Sequence, residues 1–171
     1  MSDIEIRPAR PEDAPALGRM GARLARLHNR MDPRRFFLGS RMEEGYTSWL
    51  GREMASRQAV VLAATARSRG QEQVVGYAYG RLEGRDWNTL RERCGVGVDV
   101  YVVPRARRGG AGSLLLSALV RELIRRGARQ VVIHVAARNH RALSIFEDMG
   151  FRRTLVELAI EAGDSRPHES L

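Results

Sequence analysis

Between residues 96 and 103 the chain reads Val-Gly-Val-Asp-Val-Tyr-Val-Val, then Pro104, then an arginine-flanked glycine cluster, Gly109-Gly110-Ala111-Gly112. Recurring valines favour a buried strand, and proline, with no N–H and a fixed φ, ends it. From Ser113 to Arg126 the residues Leu115, Leu119 and Leu123 recur every fourth position, flanked by Leu116 and Val120, which predicts a helix closed by Gly127. A second valine-rich strand, 131–135, follows. Two strands joined through a helix lie parallel with a right-handed crossover. The chain is therefore committed to a mixed α/β sheet whose ligand site falls at the carboxyl ends of those strands.

The remaining segments fit that frame. Residues 4–8 alternate as a short strand, and Asp13 is placed to cap a helix whose stripe Leu17, Met20, Leu24 and Leu27 runs to about Asn29. Ser40 and Glu43 have capping-box spacing ahead of a second helix over 41–56. The apolar runs 59–66 and 74–82 read as a hairpin, while 83–95 is polar and open to either a loop or a short helix. Asn139 caps a helix carrying Leu143, Phe146 and Met149, Gly150 ends it, and 154–160 alternates as a last strand. The expected order is β-α-α-β-β-β-α-β-α-β with helices on both faces of one sheet. The expected domain covers 1–161, and the tail 162–171 is expected to be disordered.

Composition removes several classes of function. The 171 residues, 43% hydrophobic and 29% charged, suit one folded domain. No apolar run nears the ~20 residues of a membrane span and the polar opening lacks a secretory core, so a cytoplasmic protein is expected. One cysteine, Cys94, and four scattered histidines argue against a disulfide framework and against a metal. The net charge of +9 rests on 29 basic residues, all arginine, since the chain has no lysine. A genome-wide codon bias and an anionic partner are both open explanations. The arginines are spread over every element without an aromatic-interleaved stripe, which argues against nucleic acid.

The glycine turn carries the chemistry. Glycines allow positive φ and close approach of a ligand, while the first N–H groups of the following helix lack intrahelical partners and sit at the positive end of its dipole. Together these make an anion site, with Arg105, Arg107 and Arg108 beside it. A phosphate-cradling nucleotide loop needs lysine and Ser/Thr after its last glycine, whereas Gly112 is followed by Ser113-Leu114. The G-x-G-x-x-G spacing of a dinucleotide site is also missing.

The run Val102-Val103-Pro104 with Arg107-x-x-Gly110-x-Gly112 resembles the acetyl-CoA-binding signature of the GNAT superfamily of N-acetyltransferases. The stretch Val135-x-x-x-Asn139-x-x-Ala142-x-x-x-Phe146-Glu147-x-x-Gly150-Phe151 is similar to the same family's next motif. The resemblance implies a single-domain GNAT-like fold with parallel strands splayed at the acetyl-CoA site. It implies that the backbone of Arg108, Gly109, Gly110, Ala111, Gly112 and Ser113 holds the CoA pyrophosphate. The main chain of Tyr101, Val102 and Val103 would then pair with the pantetheine arm, which Asn139 and Phe146 also border. Phe36, Phe37, Trp49 and Trp87 lie in or near segments that, by the same resemblance, border the acceptor pocket; core packing or a subunit contact is the other reading.

Moving an acetyl group from a thioester to an amine requires a neutral amine, donors for a tetrahedral oxyanion and a proton for the departing thiolate. Two positions depart from the family's common pattern. Phe146 stands where many members carry a tyrosine acid, and Val98 where many carry a glutamate base. Asp99 is therefore the first candidate base and Glu83 the second. A backbone N–H of Val102 or Val103 is the candidate oxyanion donor, and Tyr79, Tyr101 and Cys94 are candidate proton donors. The leading expectation is an acetyl-CoA-dependent N-acetyltransferase acting on a small-molecule or peptide amine, without a metal. A non-catalytic acyl-CoA sensor is the alternative and an arginine-driven nucleic-acid binder ranks third. A homodimer is implied at family level only.

Overall fold

The computed structural model describes residues 4–68 and 70–162, apart from the side chains of Val98 and Arg108. Five strands form one sheet in chain order: β1 (Ile4–Pro8), β2 (Ala59–Ser68), β3 (Gln71–Glu83), β4 (Cys94–Val102) and β5 (Val131–Ile133). The first four are antiparallel and β5 joins β4 in parallel, as the intervening helix requires. Four α-helices accompany them: α1 (Ala14–Met31), α2 (Met42–Met54), α3 (Ala111–Arg125) and α4 (His140–Asp148).

The sheet is covered on both faces. The fully buried Leu115, Leu119 and Leu123 of α3 sit over Gly76 and Gly80 of β3. Burial of each leucine stabilises the fold by about 2 kcal/mol. On the opposite face Tyr77 and Tyr79 point toward α1 and α2, and the Trp49 ring meets Tyr79 edge-on at 4.7 Å between centroids. Helices α1 and α2 touch closely because Gly21 has no side chain. A Cβ there would lie 2.1 Å from Tyr46 Cδ1, so the missing methyl is what seats the Tyr46 ring.

Several local expectations are corrected. Asp13 does not cap α1 with its side chain. Its carboxylate accepts from Arg10 N (2.8 Å) to close a 3₁₀ turn and from Arg7 Nη1 (2.7 Å) and Nη2 (3.1 Å). Burial alone would raise its pKa, but these donors outweigh burial and hold it below the usual carboxylate range. Ser40 does not cap α2, which starts at Met42 with Arg41 at its N-cap. The segment 83–95 is not a helix: β3 reaches Glu83, β4 begins at Cys94, and Asp86 bridges to Arg91 between them. Strand β5 stops at Ile133 rather than Val135.

The largest correction is the last strand. Residues 154–160 alternate in sequence, yet they pair with nothing, and Leu155, Val156, Leu158 and Ile160 are exposed. A strand needs a partner along its length, and here the segment is held by side chains instead: Arg35 pairs with Glu157 and Arg34 with Glu161. The expected tail from residue 163 onward lies outside the described residues.

Candidate active site

The site begins with one surplus residue. Tyr79 faces Asp99 across the β3–β4 ladder, but Gly80 faces Gly97, so Val98 is a bulge. The bulge reverses which residues turn their backbone groups toward β3. Before it, Gly95 N donates to Gln130 O on the β5 side (2.9 Å); beyond it, Val103 N donates to Val75 O of β3 (2.9 Å). By alternation Tyr101 belongs to the β3 ladder with Val103, while Val100 and Val102 aim their N–H and C=O groups toward the β5 side. Among the described residues no strand meets them there, because β5 pairs only with Gly95, Val96 and Gly97 and ends. The parallel strands part at this point.

This phase decides between the backbone candidates. Val103 is removed as an oxyanion donor because its N–H is held by Val75 O. Tyr101 and Val103 likewise do not present main-chain groups to the opening, whereas Val102 does. The Val102 carbonyl accepts from Arg107 Nε (2.9 Å), and the Arg107 guanidinium lies over the Tyr101 ring at 5.6 Å. Arg107 is thus folded back onto β4, and Arg105 reaches Gln73 Oε1 (3.1 Å).

Beyond Val102 a 3₁₀ turn (Pro104–Gly109) leads to Gly110, whose φ of 74° is left-handed and disfavours any residue with a Cβ. The ladder of α3 starts with Leu114 N donating to Gly110 O (3.0 Å), so the N–H groups of Ala111, Gly112 and Ser113 precede its first bond. No atom stands within 4 Å of where Cβ atoms would project from Gly109 and Gly110, so the turn is open in front. Ala111 is buried, but Gly112 is half-buried and Ser113 exposed, and their N–H groups, a helix dipole and open space fit a diphosphate. Across the gap Asn139 caps α4 as expected, its Oδ1 accepting from Ala142 N (3.2 Å).

Beneath the opening, on the α1–α2 face, lies Asp99. It is 6% exposed, and its Oδ2 accepts from Tyr77 Oη (2.8 Å). Burial pushes its carboxyl up to about 6, and the Tyr77 hydroxyl offsets only part of that rise. Burial first, and the Asp99 charge second, raise the Tyr46 phenol, which places Tyr46 in the electrostatic reach of Asp99. Among the described residues no group of three histidine, cysteine or acidic side chains could hold a metal.

Comparison with known proteins matches residues 24–151, well over half of the chain, to the model of the acetyltransferase (GNAT) family. The chain belongs to the GNAT acetyltransferase family. It is 42% identical over 92 residues to a mycothiol acetyltransferase of Amycolatopsis mediterranei, an alignment that takes in 52% of this chain and 29% of that protein. The chain thus spans less than a third of that relative's length. The GNAT fold is shared with the BH1408 protein of Bacillus halodurans at a TM-score of 0.74 and 18% identity, covering 91% of this chain and 99% of that one. A predicted acetyltransferase of Clostridium acetobutylicum solved with acetyl-CoA superposes at a TM-score of 0.71 and 16% identity, covering 95% and 99%.

Other candidates are displaced from this GNAT site. Glu83 and Cys94 face each other at the amino end of β4, eight residues before Val102, with Glu83 paired to Arg91 and the Cys94 thiol buried. At ~3.3 Å per residue this is ~26 Å from Val102, so neither stands beside its N–H. Tyr79 donates its hydroxyl to Glu53 Oε2 (2.6 Å). His134 lies just past β5 rather than within a strand, and Trp87 is exposed under Arg85 in the 84–93 turn. Phe146 is half-buried against Phe151 (6.0 Å).

Of the aromatics that the sequence placed in or near the segments bordering an acceptor pocket, Phe36, Phe37 and Trp49 do line one cavity, while Trp87 does not; Tyr46 and His28 in its wall had no sequence signal. A space of about 630 Å³ is lined by Phe36, Phe37, Tyr46, Trp49 and His28 among others. His28 stacks on Phe36 (5.0 Å), Asn29 Nδ2 donates to Phe36 O (2.7 Å), and Arg138 Nη1, next to Asn139, donates to Met31 O (2.9 Å). The α1–α2 loop is thereby tied to the segment that follows β5. A larger groove, about 880 Å³, is lined by Arg57, Arg93 and Arg121 and holds none of the residues at the opening.

Proposed function

We propose that the protein is an N-acetyltransferase that moves the acetyl group of acetyl-CoA onto a primary amine by direct transfer in a ternary complex. The observation that carries this reading is the conjunction of the Gly110 turn, with the amides of Gly112 and Ser113 ahead of the first bond of α3, and the parting of β4 from β5 at the Val98 bulge. Acetyl-CoA supplies the activated thioester. The backbone of Gly109 to Ser113, with Arg108, holds its diphosphate; Val102 and Asn139 flank its extended arm.

Asp99 takes the proton from the attacking amine, directly or through water, and its carboxyl at about 6 is ionised at neutral pH while remaining basic enough to accept it. The Val102 N–H, aimed into the opening, stabilises the oxyanion as the C–N bond forms. Tyr101, at the carboxyl end of β4, is the remaining candidate to protonate the thiolate once the C–S bond breaks, since Tyr79 donates to Glu53 and the buried Cys94 lies at the amino end of β4. A metal-free reaction and a cytoplasmic setting accompany this reading. Among the described residues no helix is long and apolar enough to cross a membrane.

Calorimetry with acetyl-CoA, followed by thiol release over a panel of amines, tests it. Saturable heat that is weakened by Gly110→Val, with amine-dependent thiol release, is the expected result. Absence of heat overturns the site; heat without thiol from any amine favours an acyl-CoA sensor. For the wild type, kcat/KM rises through about pH 6, and Asp99→Asn removes that limb with a loss of about 10²–10⁴ in rate.

A further inference from the structure

The cavity beside Tyr46 carries information about the acceptor that the coenzyme site does not. Its wall is aromatic: Phe36, Phe37, Tyr46 and Trp49, with His28 stacked on Phe36. It reaches the chemistry through two contacts. The Tyr46 and Trp49 rings meet edge-on (5.5 Å), and Trp49 in turn rests on Tyr79, the residue opposite Asp99 in the ladder.

The charge inventory of this wall is decisive. No aspartate or glutamate lines the cavity among the described residues. Its two arginines are already matched on the rim, Arg35 by Glu157 and Arg41 by Glu44 (3.5 Å). Burial lowers the His28 pKa, which keeps that ring neutral near pH 7. A ligand with several ammonium groups would find no carboxylate in the wall: of the acids nearest it, Asp99 already accepts from Tyr77, and Glu53 accepts from Tyr79 (2.6 Å) and faces Arg81 (3.7 Å), so the ligand's remaining charges would be desolvated against aromatic carbon. A single ammonium, by contrast, is attracted by the faces of Tyr46 and Trp49 and lies in the direction of Asp99.

We propose that the acceptor is a monoamine whose amino group is carried on an uncharged aromatic or apolar body seated among Phe36, Phe37, Tyr46 and Trp49. This rests on the N-acetyltransferase reading for its chemistry, but the binding preference is measurable without coenzyme. Trp49 is a reporter within the wall, and the exposed Trp87 is replaced by phenylalanine to remove the other signal.

With Trp87→Phe protein excited at 295 nm, 2-phenylethylamine, spermidine and kanamycin are titrated at matched ionic strength. The expected result is a saturable change with 2-phenylethylamine at a Kd about tenfold or more below that of either polycation. Phe36→Ala should raise the 2-phenylethylamine Kd about three- to tenfold, the worth of one aromatic contact, and leave the polycations unaffected. Equal or tighter binding of spermidine or kanamycin, or no saturable response to 2-phenylethylamine, overturns the proposal. Thiol release from acetyl-CoA separates the two claims. Release that is faster with spermidine than with 2-phenylethylamine sinks the acceptor class while upholding transfer. Saturable 2-phenylethylamine binding with no release from any amine counts against transfer while upholding the pocket's preference.

Discussion

The body of the sheet and the chain after β5 are held in opposite ways. From β1 to α3 position is set by burial: Leu17, Leu50, Leu115, Leu119 and Leu123 are all essentially inaccessible. After β5 no residue of α4 is buried. That region is fixed by hydrogen bonds and ion pairs: Asn139 at the cap, Arg138 on Met31 O, Arg35 on Glu157, and Arg153 on Glu147. A packed core positions Val102, Gly110 and Asp99 rigidly, whereas the far wall of the opening is attached by polar tethers.

The contrast is broken most severely in the core. Leu119→Ala should cost 2–5 kcal/mol of global stability, read by denaturant unfolding, because α3 cannot collapse onto the glycines of β3 without leaving a cavity. A loss below 1 kcal/mol would mean that α3 is not packed as described.

Next comes Asp99, a carboxyl buried beneath the opening. Well below pH 4 its carboxyl is protonated in the folded and unfolded chain alike, and well above pH 6 it is ionised in both. In between, the folded protein holds more protons, so stability falls as pH rises, by about 2–3 kcal/mol over the window. Asp99→Asn should abolish that slope in chemical unfolding from pH 4 to 7; an unchanged slope would show that the carboxyl titrates normally.

Smaller effects sharpen the description of the second region. Asn139→Ala removes a cap worth about 1 kcal/mol. Since no residue of α4 is fully buried, the loss should show as faster amide exchange over residues 140–148 and not in the global midpoint. Last, Leu158→Ser should shift stability by less than about 0.5 kcal/mol, as for any side chain left in water. A large shift would put that leucine in a packed interface.

The same division explains what the sequence could tell. The strand ended by Pro104, the glycine turn, the leucine stripe of α3 and the Asn139 cap are local signals, each enforced by residues within a few positions of one another. The Val98 bulge has no such signal, since it is a count of residues between two ladders, and Tyr101 and Val103 could not be separated from Val102 without it. Glu83 and Cys94 were misplaced because the polar stretch 83–95 hid how far β3 and β4 extend. Residues 154–160 alternate like a strand, but alternation records only which sides are apolar and not whether an edge is there to receive them. The aromatic cavity draws on α1, α2 and the loop between them, and no spacing rule joins those positions.

The surplus residue at Val98 has a bearing on how a ligand enters. The mouth between β4 and β5 exists because the two ladders fall out of step, a property of chain length that needs neither a hinge nor a lid. A long, amide-bearing molecule sliding into it meets backbone groups already facing outward, and no interstrand bond has to be broken first.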